Sequence, residues 1–406
     1  MTPAPRRTKT RLPRKRHAVY ASMTVVTSLV VMDLALSAIL LATDGRLLGR
    51  KVPPYDLVFD FRQVEEMARV GSDPYQRFDP DLGWSLRAGG VSEDTQYVAN
   101  EAGFRASRNY AIDPPRSILR IATFGDSFTH GDEVFNDETW QHYLETSSPG
   151  LEVLNFGVGG YGVDQAYLRY RRDGVRYSPN VVLIGLHTEN ILRHGNVYRP
   201  TYYHGARGFG VKPRFRIDDD GKLEFLPVPV SSLSELRASI EDESLTPILA
   251  NTDYWVRRAP LGYRGSRLFM SSLARLIYGA YERMGRDPAS YYEDASNELY
   301  QLTLSVVRRF QRETLEDGAE RSIVVLFPRR RDLGRLMAGG QPYWSGLAEE
   351  LRDGGISVLD MAEPLLKAAR TEGLDSLFAE FHYGPHANRI VAQSLADALG
   401  TSMTTR

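Results

Sequence analysis

Residues 118–132 read Ile118-Leu119-Arg120-Ile121-Ala122-Thr123-Phe124-Gly125-Asp126-Ser127-Phe128-Thr129-His130-Gly131-Asp132. An apolar run enters a Gly-Asp-Ser turn, and the polar start Asn136-Asp137-Glu138 then opens a helix through Trp140, Tyr143 and Leu144. The order is strand, tight turn, helix, with a serine at the turn. In an open α/β sheet, ligands bind in the crevice outside the carboxyl ends of the strands. That is where this reading puts Ser127.

The same alternation repeats downstream. Leu151–Phe156 is a second strand, followed by the glycine run 157–162 and a helix from Val163 to Arg172. Pro179–Leu186 is a third strand, almost wholly apolar, as buried parallel strands are. Ser322–Phe327 and Ile356–Asp360 make a fourth and a fifth. Helices are expected over 294–316, 344–352 and 388–399. Strands alternating with helices argue a parallel, doubly wound sheet. Between about 191 and 293 the pattern breaks. Phe215 to Phe225 reads as a β-hairpin around an Asp-Gly turn, and helices follow, including Arg267 to Met284. This segment is expected to be an insertion over the active face. It carries Tyr198, Tyr202, Tyr203, Tyr254, Trp255 and Tyr263, read mainly as packing residues, with stacking on sugar rings as the alternative.

Upstream, Ala18 to Ala42 is a mostly apolar run behind a basic start, long enough to span a bilayer and longer than a signal-peptide core. Residues 1–17 are expected to be a cytoplasmic tail, 18–43 a transmembrane signal-anchor and the body extracytoplasmic, because the basic excess precedes the span. Asp33 interrupts the run and reads as a tolerated polar residue or as pairing with a partner helix. Residues 52–116 are expected to pack on the body as a leader. It holds a short amphipathic helix over Asp56–Val70, a turn-rich Phe78–Trp84 and a strand at Thr95–Val98. The body proper runs over 117–400.

Residues 1–51 hold ten Lys/Arg and two acids, so the rest of the 406-residue chain has a net charge of −9. That balance argues against nucleic-acid binding. There is no cysteine, which excludes disulfides, thiolate–metal sites and a thiol nucleophile. No His/Asp/Glu cluster has metal-ligand spacing, and no cofactor is expected. Gly157–Gly162 fits G-x-G-x-x-G, but it follows the second strand, and no acid stands about 20 residues on. A tight turn is the better reading.

Ser127, Gly160 and Asn190 each fall just after a strand and so converge on one face, and His382 precedes the last helix. Nucleophile, backbone donor, amide donor and base are the parts of an acyl-transfer site. G-x-S-x-G is absent, since Thr129 takes the place of the last glycine.

With these blocks the chain resembles the SGNH/GDSL hydrolase superfamily. Gly125-Asp126-Ser127-Phe128 is similar to its first block, Asn155–Gly162 to its second and Thr188-Glu189-Asn190 to its third. Glu380-Phe381-His382, with Asn388–Ala392 after it, is similar to its last. The likeness covers about 117–199 and 320–400. The leader is similar to that of exported members associated with cell-envelope polysaccharides. The resemblance implies a flavodoxin-like three-layer α/β/α fold and a serine esterase with Ser127 as nucleophile and His382 as base. Glu380 stands where the family has aspartate, with Asp375 as the alternative acid. The N–H groups of Ser127 and Gly160, with the Asn190 amide, would form the oxyanion hole. His130, His187 and Arg329 are expected to line the substrate site. His130 and Arg329 also read as a packed histidine and a solvated basic loop, and His386 is a second candidate base. The implied reaction is removal of an O-acyl group, expected to be acetyl, from an extracytoplasmic carbohydrate. An O-acyltransferase, a lipid esterase and a non-catalytic envelope subunit with an assembly partner remain as alternatives.

Overall fold

A computed structural model describes residues 14–53, 71–203, 210–258 and 267–401. The chain divides into two units, one made of the described residues of 1–57 and 261–284, the other of those of 58–260 and 285–406. The leader helix expected over Asp56–Val70, the basic tail up to residue 13, and Tyr263 lie outside the described residues.

The larger unit is built on a five-stranded sheet: β1 (Leu119–Phe124), β2 (Leu151–Asn155), β3 (Val181–His187), β4 (Arg321–Phe327) and β5 (Ser357–Asp360). The order is β2-β1-β3-β4-β5 and every pairing is parallel. This is the flavodoxin-like order 2-1-3-4-5, whose direction of winding reverses between β1 and β3. Ser127 follows β1 and Asn190 follows β3, so both stand at that switch point. All seven residues of β3 are buried, as a central parallel strand requires.

Two sets of helices flank the sheet. Trp140–Ser147, Pro385–Leu399 and Ala362–Glu372 pack together, and Val163–Arg169 packs with Glu298–Glu316, which also meets Ser345–Asp353. In the core, Phe124 stacks on Phe156 at 4.9 Å and meets Tyr170 and Phe310 at steeper angles. Arg120 of β1 is wholly buried. Glu152 of β2 neutralises it through bonds of 2.9 and 2.6 Å, and its Nη1 donates to the carbonyls of Ile112 and Tyr177.

Four local expectations change. Thr95–Val98 makes one isolated bridge, Val91 to Val98, rather than a strand. The turn-rich Phe78–Trp84 instead joins a hairpin, Gln76–Asp79 with Gly83–Leu86. Asp79 accepts the N–H groups of Asp81 and Leu82, and Gly83 takes φ 84°. The basic loop after β4 is a helix, Arg330–Met337, started by Asp332 accepting the Arg329 N–H at 2.9 Å. The helix from Val163 ends at Arg169 and continues as a π-turn through Gly174, where the Phe124 ring leaves no room for a side chain.

The insertion is divided between the two units. Its hairpin, Arg214–Ile217 with Leu223–Leu226, packs on the helices Glu298–Glu316 and Val163–Arg169. Among the described ones, Tyr198, Tyr202, Tyr254 and Trp255 are buried and Tyr203 is exposed, so most of these serve packing. Residues 267–284 belong to the smaller unit. There Arg14–Ala42 forms a single helix, and its Arg16–Ala42 portion is long and apolar enough to cross a membrane.

Candidate active site

Ser127 is the first residue of a four-residue helix, and Asp126 caps it by accepting the Phe128 N–H at 3.0 Å. The strands close tightly here. A Cβ on Gly125 or on Gly185 of β3 would collide with Thr129. The other Asp126 oxygen accepts from Asn190 Nδ2 at 3.1 Å and Arg193 Nη1 at 3.0 Å. Asp126 therefore holds the turn, with both carboxylate oxygens engaged.

His382 lies beside this turn, its ring centroid 5.1 Å from that of Phe128. Its Nδ1 is 2.8 Å from Glu133 Oε1, while Glu133 Oε2 accepts the backbone N–H groups of Glu380, Phe381 and His382 at 2.8, 2.8 and 3.1 Å. Glu133 is thus the acid that orients the imidazole. This corrects the reading of Glu380, whose side chain points to solvent while its N–H serves Glu133. The alternative, Asp375, is also exposed and pairs with Arg330. His386 is engaged elsewhere, 3.0 Å from Glu372.

Burial works against charge on Glu133, but the His382 bond and the three N–H donors outweigh it and draw its pKa down to about 2. Burial likewise opposes the His382 imidazolium. The bond to Glu133 and the carboxylates of Asp132, Glu133 and Asp126 prevail and raise its pKa above the usual 6.5. A Nδ1–H donated to Glu133 leaves Nε2 as the basic nitrogen.

Glu133 occupies the left-handed region, φ 71°, a strained place for a glutamate that costs about 1–3 kcal/mol. The leader supplies what holds it there. Tyr97 Oη accepts the Glu133 N–H at 2.8 Å. Arg105, buried, donates to the carbonyls of His130, Gly131 and Val134 and to Asn136.

Two backbone donors lie in the loops after β1 and β2. The N–H groups of Ser127 and Gly160 have no acceptor among the described residues. Gly160 has φ 82°. The peptide carrying its N–H is fixed from behind, because Trp84 Nε1 of the leader donates to the Gly159 carbonyl at 3.0 Å. A planar trans peptide then points the Gly160 N–H the opposite way. Arg199 holds the next carbonyl, that of Gly160, at 2.6 Å. The glycine run is accordingly a turn: Gly157 lies against the His130 backbone and Gly160 has positive φ.

The other expected site residues are placed differently. Asn190 is fully buried, its amide already given to Asp126 and, at 3.4 Å, to the Tyr161 carbonyl. It braces Asp126 rather than offering a free oxyanion donor. His130 is buried in the leader interface. Its Nδ1 faces Asp132 and its Nε2 the Tyr75 hydroxyl at 2.7 Å; burial, with Arg105 nearby, lowers its pKa to about 4. It is a packed neutral histidine and lines no substrate site. His187 is buried under Phe128, with ring centroids 4.2 Å apart, and burial keeps it neutral. Arg329 is committed to Asp332 at 3.1 Å, with Glu189 3.5 Å away, and so is no free anion receptor. Among the described residues there is no metal-holding His/Asp/Glu group.

No family model and no curated protein matches the chain. It is similar in structure to a member of the lipolytic protein G-D-S-L family from Veillonella parvula DSM 2008, at 12% identity and a TM-score of 0.37, over 70% of this chain and 99% of that one. It is also similar to an acetyl xylan esterase, at 11% and 0.37 over 69% and 100%. A third is a catalytic mutant of an acetylxylan esterase from Geobacillus stearothermophilus, at 11% and 0.37 over 71% and 97%. What the site can do follows from its own groups. A buried serine at the switch point, a histidine oriented by a carboxylate and two unpaired N–H donors make up an acyl-transfer constellation.

Proposed function

We propose that the chain is a serine ester hydrolase of SGNH type, and the observation that carries this is the Glu133–His382 pair, whose imidazole lies 5.1 Å from the ring of Phe128, the residue after Ser127. His382 Nε2 takes the proton as Ser127 Oγ attacks the ester carbonyl. Glu133 fixes the imidazole tautomer and stabilises the cation. The N–H groups of Ser127 and Gly160 receive the developing oxyanion; such donors are worth about 3–4 kcal/mol each in comparable sites. His382 returns the proton to the leaving alcohol, and water attacks the acyl-enzyme by the same route.

The substrate we propose is an acetylated carbohydrate outside the cytoplasm. The apolar helix Arg16–Ala42 behind a basic start supports a signal-anchor with the body exported. The test is release of p-nitrophenol from acetyl, butyryl and octanoyl esters by the full chain in detergent. Turnover that prefers acetyl and disappears in Ser127→Ala supports the reading, and sugar acceptors then separate hydrolysis from transfer. Turnover equal in Ser127→Ala contradicts it.

A further inference from the structure

In the smaller unit, the apolar helix is bare on every side up to Met32 and covered on one side from Asp33 onward. What covers it is the chain itself. Asp33 Oδ1 accepts the Ser271 hydroxyl at 2.8 Å and the Leu273 N–H at 2.7 Å, and so caps the helix Ser272–Gly285. Ser37 and Ser272 share a hydrogen bond of 2.7 Å. Leu36 and Leu40 pack with Val52, Leu273 and Leu276. The acid inside the span is satisfied within its own chain, and a partner helix is not needed to explain it.

This contact sets a depth. The apolar stretch before Asp33, Ala18–Met32, is about 22 Å long at 1.5 Å per residue, whereas a bilayer core is about 30 Å thick. The start of the second helix therefore lies near the edge of the hydrocarbon. Its uncovered face is apolar: Ile277 and Tyr281 are each exposed by 62%, with the half-buried Ala274 one turn before Ile277, and Met270, in the short turn of helix that precedes it, is exposed by 71%. Spacings of three and four residues put Ala274, Ile277 and Tyr281 on one stripe of the helix. Tyr281 is eight residues beyond Leu273, at most about 12 Å farther along the helix. That reaches the headgroup layer, where tyrosine is enriched.

We propose that Met270, Ala274, Ile277 and Tyr281 form a membrane-contact face, buried in the acyl–headgroup boundary of the same leaflet through which the anchor helix leaves. The unit would then hold the bilayer by a span and an interfacial helix together. The proposal rests on the span reading, and the test separates the two. Because the chain lacks cysteine, single-cysteine variants of the full chain at Val26, Ile277, Tyr281 and exposed Glu372 can each carry a nitroxide in phosphatidylcholine nanodiscs. The expected result is that labels at 26, 277 and 281 relax with oxygen and are at least fivefold less accessible to a water-soluble nickel chelate than the label at 372. Labels at 277 and 281 as accessible as that at 372, with 26 protected, overturn the membrane face and leave the span. All four accessible overturn both. Ile277→Glu with Tyr281→Glu provides a second readout: the expected result is faster exchange of the anchored protein between vesicles, and an unchanged rate contradicts the face.

Discussion

Glu133 Oε1 lies 2.8 Å from Nδ1 of His382 across 249 positions of sequence, and the other oxygen of the same carboxylate gathers the three N–H groups that lead into that histidine. One side chain thus both orients the base and docks the loop bearing it onto the loop bearing the nucleophile.

Replacing Glu133 by Gln keeps the shape and removes the charge. The expected loss in kcat is about 10²–10⁴-fold, as for comparable triad acids. Glu380→Gln should stay within about threefold of the parent, because its side chain is exposed and holds nothing at the site. Steady-state kinetics on p-nitrophenyl acetate decide between the two acids.

The pH profile carries the same signature. His382 must be neutral to act as base, and its folded pKa is raised above 6.5. The acid limb of kcat/KM should therefore sit above 6.5 and move downward in Glu133→Gln.

Stability should follow with opposite signs on the two partners. His382, with its pKa raised, contributes fully below 6.5 and loses its contribution as pH rises through the folded value. Glu133, with its pKa drawn down to about 2, contributes above its ordinary 4.5 and loses the contribution as pH falls toward 2. The Tm difference between parent and Glu133→Gln should be largest between 4.5 and 6.5 and shrink on either side. Thermal melts across that range measure it.

Trp84→Phe keeps the ring and deletes the donor to the Gly159 carbonyl. With that peptide freer to turn, the Gly160 N–H loses its aim, and kcat should fall about tenfold with KM little changed, a fraction of the 10²–10³ lost when a donor is removed outright. A rise in KM at constant kcat would assign Trp84 to substrate binding instead.

Asn190→Ala should act mainly on stability. It leaves Asp126 short of one buried donor, which costs about 1–3 kcal/mol. A chemical-denaturation midpoint lower than that of the parent is expected. Unchanged stability with a collapse in kcat would restore the amide to the oxyanion hole.

The sheet was legible because its strands are apolar runs closed by glycine and asparagine turns, a signal that local periodicity carries. That Ser127 and Gly160 follow strands and His382 precedes the last helix was legible from the same pattern. Glu133 was not legible as a partner of His382, for it lies in a loop in a backbone conformation glutamate rarely adopts, and only contacts with Tyr97 and residues 380–382 bring the two together. A carboxylate six residues from the serine was the only local hint. Glu380 read as the acid because spacing from the histidine is visible in sequence and side-chain direction is not. The leader's part was hidden for the same reason, since Tyr75, Trp84 and Arg105 reach the catalytic loops only through tertiary contacts.

The central claim is that Glu133, through His382, activates Ser127. The direct measurement is the rate at which a fluorophosphonate labels the full chain, followed by intact mass and peptide mapping. The expected result is a single adduct on Ser127, absent in Ser127→Ala, formed at the parental rate in Glu380→Gln and at least a hundredfold more slowly in Glu133→Gln. Labelling at the parental rate in Glu133→Gln, or an adduct on another residue, would contradict it.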